Sequence, residues 1–195
     1  MSYWVLTPAS VNDGAVLEKL PIDSPDSPDF FEAIPLGDRF PRNGAMRFSS
    51  DYPDFIQVFD FVTNTLGLPI VSGRMVDVLI QFGAKRFESL PVTLLDHKGR
   101  VASKEHSILN VLDIQDIIDM ERTDYVPSPF DPSQIFRINR LSVKTEGVEP
   151  GALLFRARTR MREIFLHASL HEALLSAGVT GLKAVPAEGW NGFAL

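Results

Sequence analysis

The chain has 195 residues, 45% apolar and 23% charged, a length and balance that suit one globular domain over 1–195 with a single core of ordinary size. It has no cysteine, which removes thiolate zinc sites, iron–sulfur clusters and cysteine nucleophiles and fits a reducing, cytoplasmic setting. A net charge of −6 disfavours binding by phosphate neutralisation, so no nucleic-acid partner is expected, and no apolar run of ~18 residues marks a membrane span.

The opening Met1–Leu6 has neither a basic n-region nor a long apolar stretch, so it reads as a first strand and not as a signal peptide. The charge is uneven. Residues 1–70 carry ten acids and four bases, 71–131 ten and seven, and 132–195 five and eight. An acidic and a basic side are therefore expected.

In chain order, Tyr3–Pro8 is apolar and ends at proline, as an opening strand would. A Pro/Asp-rich loop follows over about 21–42, broken by Pro21, Pro25, Pro28, Pro35 and Pro41. Its Asp23–Asp29 stretch is expected to hold no helix, and Phe30, Phe31 and Phe40 are expected to pin it to the body. Pro53–Phe61 reads as either a short helix or a strand.

Leu68–Val71 is strand-like, and Ser72 stands where an N-cap belongs. Met75, Val78, Leu79 and Phe82 follow at helical spacing, and Gly83 sits at the C′ stop. Arg86–Leu95 and the segment from Val101 to about Leu112 make a hairpin around Asp96-His97-Lys98-Gly99. Asp113–Arg122 is ambiguous between helix and strand. Gln134–Val143 is a strand candidate after the loop marked by Pro127, Pro129 and Pro132, and 147–151 is a turn. In the last third, Ile164–Leu166 reads as strand. Ser169 with Glu172 suggests a capping box, Leu170, Ala173, Leu174 and Ala177 suggest a helix, Gly178 ends it, and Leu182–Val185 reads as strand.

Two of these units superpose at a shift of 95 residues: Val71 on Leu166, Met75 on Leu170, Leu79 on Leu174, Gly83 on Gly178 and Pro91 on Pro186. A repeated strand–helix–strand unit is therefore expected, at about 68–92 and 163–187. Neither copy carries a glycine-rich phosphate loop. The expected fold is α+β, with a mixed, largely antiparallel sheet and two or three short helices.

The candidate sites are charged. Asp113, Asp116, Asp119, Glu121 and Asp124 fall within twelve residues. They read first as a solvated face, and beside that as an acidic surface that steers a basic partner; the glycine and spacing of a calcium loop are missing. Arg156, Arg158, Arg160 and Arg162 alternate. On one strand they line one face, which four unpaired charges keep out of an apolar core; in a loop the stripe dissolves. His167 and His171 stand at i, i+4 with no third ligand nearby, which favours a surface pair over a metal site. No nucleophile elbow or Walker loop is present.

The segments Leu68–Ser72, Ile108–Asp119, Phe155-Arg156 and Leu166–Gly181 resemble the immunity-protein-eleven family of bacterial polymorphic toxin systems, and the likeness runs from Tyr3 to Pro186. His167 departs from the serine usual at that place in the family, while Ser72 fills the corresponding place in the first unit. The resemblance implies an immunity protein that binds a cognate protein toxin and neutralises it by occlusion, with no catalysis and no cofactor. The expected partner-binding residues are Asp113, Asp116, Asp119, Glu121, Arg156, Arg158 and Arg160. Two other readings stand beside it. One is an enzyme or small-anion binder that uses the Arg156–Arg162 stripe; the other is a scaffold or multimeric structural protein.

Overall fold

Period-two alternation sets the strands of this chain, and glycine and proline set their ends. The computed structural model describes residues 2–9 and 12–193. The N-terminal part supplies β1 (Tyr3–Pro8), the short β2 (Val16–Leu17), a 3-10 turn at Ser27–Phe31, β3 (Ala45–Arg47) and β4 (Phe61–Asn64). Next come β5 (Ile70–Ser72), α1 (Gly73–Gln81) and the hairpin of β6 (Phe87–Leu95) and β7 (Val101–Val111). The remainder supplies β8 (Ile114–Gln115), β9 (Asp124–Pro127), β10 (Ile135–Arg140), β11 (Leu154–Ala157), β12 (Arg160–His167), α2 (Ala168–Ser176) and β13 (Leu182–Pro186).

These strands build two sheets and a separate hairpin, which corrects the single mixed sheet expected from the chain's predicted elements. The first has the order β2-β4-β5-β7-β6-β3, the second β13-β1-β12-β11-β8, and β9 pairs only with β10. Both sheets are mixed. β2–β4, β3–β6 and β11–β8 are parallel; the other ladders are antiparallel. The edges of the first sheet meet at one antiparallel bridge, Leu17 to Phe48.

Each α-helix follows a strand and is nine residues long. Ser72 caps α1 as expected: its Oγ accepts from the Met75 N–H at 3.2 Å. At α2 the cap is His167, whose Nδ1 accepts from the Ser169 N–H at 3.2 Å, so the expected Ser169–Glu172 capping box does not form. An unprotonated imidazole nitrogen offers the same lone pair as a hydroxyl, which explains how histidine fills a serine's place. Gly83 and Gly178 end the two helices at φ +90° and +67°.

The apolar side chains form three clusters. The central one lies between the sheets and takes Met75, Val76 and Leu79 of α1, Leu170 and Leu174 of α2, Phe61, Val71 and Leu109 of the first sheet, and Leu6, Leu154 and Leu166 of the second. At ~1.5–3 kcal/mol for each fully buried side chain, this layer is the main glue between the sheets. The Pro-rich segment covers the far face of the first sheet, with Phe30, Phe31 and Phe40 buried as expected and Leu36 beside them. Contrary to the expectation that Asp23–Asp29 holds no helix, a 3-10 turn begins inside it, Ser27–Phe31, because its proline sits at the start, where a missing N–H costs nothing. The β9–β10 hairpin, Leu141 and Trp190 cover the far face of the second sheet.

Candidate functional site

The alternating arginines do not form one face. The chain reverses at Arg158 and Thr159, so Arg156 lies on β11 and Arg160 and Arg162 on β12, with a bulge beside Arg156. The expectation that none of them is buried fails for Arg156, which is 1% exposed. Its Nε, Nη1 and Nη2 donate to the carbonyls of Val111 (2.9 Å), Met161 (2.6 Å) and Phe30 (2.9 Å). Carbonyl dipoles stand in for the missing counter-ion. Burial pulls the guanidinium down to about 10, with Glu163 opposing it. Arg160 donates to the Ile135 and Phe136 carbonyls and pairs with Glu163 at 2.8 Å, and Arg162 lies over the Phe31 ring at 4.4 Å. Arg158, in the turn, is exposed, and Arg162 is exposed as well although it lies on that ring. Arg156 and Arg162 instead tie the Pro-rich segment to the second sheet.

The acidic residues are dispersed as well. Asp113 is buried, ion-paired with Arg86 at 2.7 Å and hydrogen-bonded by Gln115. Asp116 pairs with Lys144 at 2.7 Å. Asp119 accepts from the Glu121 and Arg122 amides, which makes it a turn former. Asp124 takes the Asn139 amide at 3.0 Å, and Glu121 is exposed. The ambiguous segment resolves into β8 and a bridge from Ile118 to Val143, so no helical face gathers the carboxylates.

His167 and His171 do not converge. His167 caps α2, and His171 packs on Trp4 with ring centres 4.4 Å apart; burial pushes its imidazole down. Among the described residues no group of three His, Asp or Glu side chains could hold a metal ion.

One polar centre gave no signal in the sequence. Asp60 is 8% exposed and accepts five hydrogen bonds. They come from Ser72 Oγ (2.7 Å), Arg74 Nε (3.1 Å) and Nη2, the Thr180 N–H (2.8 Å) and Thr180 Oγ1 (2.7 Å). Burial pushes its carboxyl up, but the bonds from Arg74, Ser72 and Thr180 outweigh that and hold it well below the usual carboxylate range. The first residue partners lie 12 and 14 positions away and the last 120, so no local pattern reveals the group. His106 lies across the β5–β7 ladder from Ser72, which brings the residue types of a hydrolytic triad together. Their wiring is structural. Ser72 Oγ gives its proton to Asp60 and accepts from an amide, while His106 bonds to Ser103 Oγ (2.8 Å) and the Phe59 carbonyl (3.0 Å). No imidazole faces the hydroxyl, and the Asp60 carboxylate that does is held by Arg74 and Thr180, so the group joins β4, β5 and α1 to the loop after α2.

A cleft of about 640 Å³ opens between 18–23 and 41–47 on the first sheet. Leu20, Ala45 and Leu95 give it apolar walls, and Arg42, Arg47 and Lys19 stand around it; none of the three arginines expected at a partner lines it. Ile22 is 87% exposed at its lip. Elsewhere, Phe130 and Phe136 stand exposed on the β9–β10 hairpin.

Comparison with curated proteins returns no match. The model of the immunity protein family Imm11 matches residues 3–188, which takes in both sheets, both helices, the Asp60 centre and the cleft. The chain belongs to the Imm11 immunity protein family.

Proposed function

We propose that this protein is the immunity partner of a bacterial toxin domain, acting in the cytoplasm of the producing cell by stoichiometric binding that occludes the toxin, without catalysis of its own. The family match over 3–188 carries the reading. The wiring of the polar groups supports it: Asp60, Asp113 and Arg156 are spent on joining elements, so the conspicuous charges build a rigid shape and not a reaction centre. Among the described residues no helix is long and apolar enough to cross a membrane. The chain acts as one domain in this reading, since the central cluster draws on both sheets and both helices. The units near 68–92 and 163–187 act as a repeated element. Each flanks an antiparallel strand, β7 between β5 and β6, and β1 between β12 and β13. Of the charged residues expected at the partner, Glu121 and Arg158 remain accessible to one, whereas Asp113 and Arg156 are buried.

The test is co-expression with the polypeptide encoded immediately upstream. Rescue of growth and 1:1 co-purification, with an interface of ~1,600 Å² total, is the expected result. A non-toxic neighbour that does not co-purify refutes it.

A further inference from the structure

We infer that the cleft between 18–23 and 41–47 is the anchor point for the toxin, and that it receives an extended, carboxylate-bearing segment of that partner; this rests on the immunity reading above.

The argument starts from the backbone of β3. Its parallel register with β6 pairs Ala45 with Thr93 and Arg47 with Leu95. The Thr93 N–H donates to the Gly44 carbonyl at 2.8 Å and the Phe48 N–H to the Leu95 carbonyl at 3.0 Å. In such a ladder alternate residues face opposite ways, so Gly44, Met46 and Phe48 turn their peptide groups to β6, while Ala45 and Arg47 turn theirs outward to the cleft. On the other wall, the chain beyond β2 runs alongside. It is tied at the Leu17–Phe48 bridge, where the Ser49 N–H reaches the Val16 carbonyl at 2.7 Å, and it packs again where Pro21 touches Gly44. A Cβ on Gly44 would stand 2.9 Å from Pro21 Cγ, so the two segments are in close contact there. The same bridge turns the Arg47 carbonyl to Glu18, and beyond it no backbone hydrogen bond joins 19–21 to 44–46 among the described residues. The sheet is left with an eye-shaped gap edged by free peptide groups, which is what an added stretch of backbone satisfies.

The charges choose the occupant. Among the described residues Arg42 and Arg47 make no ion pair, whereas Glu18 is engaged by Ser49 Oγ at 2.8 Å and faces Lys19 at 3.8 Å. The cleft therefore presents two free guanidinium groups and one free carboxylate, Asp23, above an apolar floor. An incoming carboxylate gains a charge-assisted bond there that an incoming cation does not. Ile22, exposed on the lip, offers the apolar contact that a protein segment covers and a small free anion leaves bare.

Three variants test the assignment with the toxin encoded upstream as the probe: Ala45→Trp, which fills the cleft from an exposed position, Ile22→Glu on the lip, and the double change Arg42→Glu with Arg47→Glu. None removes a buried group or an ion pair, so melting temperatures should stay within a few degrees of wild type. Each should weaken toxin binding by at least a hundredfold. Independently of any substitution, the Ala45 and Arg47 amides of the unaltered protein should exchange quickly alone and at least tenfold more slowly in the complex. If the wild type binds and protects cells while all three variants bind within twofold and the two amides gain no protection, the anchor assignment is wrong and the immunity reading stands. If the wild type neither binds nor protects, both fall. Inorganic phosphate or acetate slowing the same amides as strongly as the toxin would also overturn it, in favour of a small-anion pocket.

Discussion

Removing the Asp60 carboxylate with Asp60→Ala tests the reading of that group as the clasp between the two halves. The change leaves Ser72 Oγ and the Thr180 N–H without their acceptor, and Arg74 without its ion pair. Arg74 is half exposed and recovers water, so it adds little. The other two each cost roughly 1–3 kcal/mol when left unmet, and breaking a buried ionic group costs ~3–5 kcal/mol as a whole. At ~2–4 °C per kcal/mol for a chain of this size, melting should fall by roughly 6–20 °C at pH 7. The sign with pH follows from the lowered carboxyl: its contribution is complete above the unfolded value near ~3.9 and fades as pH drops below it towards the folded value. Urea unfolding of wild type and variant at pH 7 and at pH 3 is the assay. The gap between them should narrow at pH 3. A gap of under 1 kcal/mol at pH 7, or one that does not change with pH, refutes the clasp.

Arg156→Lys keeps a charge but cannot reach three carbonyls at once, so it should destabilise by ~2–4 kcal/mol in chemical unfolding; a cost under 1 kcal/mol would show that the carbonyls find other donors. Gly181→Ala and Gly83→Ala both place a side chain at positive φ, but only at Gly181 would the new Cβ press on the Phe61 carbonyl and come within 2.6 Å of Phe59 Cβ. The first should therefore cost at least ~2 kcal/mol and the second about 1 kcal/mol, with equal losses counting against the steric argument. His106 is held down by burial, so the native state resists its protonation. Wild-type stability should decline as pH falls through ~6.5, and His106→Gln should flatten that limb of the thermal-melt profile.

What the sequence revealed is what local chemistry controls. Ser72 had to cap because it precedes an amphipathic run, Gly83 and Gly178 had to stop helices, and Asp96–Gly99 had to turn. Phe30, Phe31 and Phe40 had to find a core although prolines surround them. Most of the failures are non-local. Alternation from Arg156 to Arg162 reads as one strand face until Arg158 and Thr159 are seen to turn, and then the same spacing distributes the side chains over two strands. The cap at His167 was hidden because a histidine accepts like a serine only in one tautomer. Asp60 and the cleft escaped altogether, since each is assembled from segments far apart in the chain, and an exposed alanine such as Ala45 carries no signal of the free peptide groups beside it.

The place of β1 in the middle of its sheet sets an order on synthesis. Residues 3–8 leave the ribosome before the other strands described, yet their ladder partners are 164–167 and 182–186. The β6–β7 hairpin and the first sheet have their partners within the first 111 residues and can close while translation continues. The second sheet must wait until 160–186 have emerged, and its first strand must stay unpaired until then. Folding limited by such distant contacts is slow, so under the immunity reading proposed above, protection would depend on a reserve of finished molecules and not on newly emerging ones.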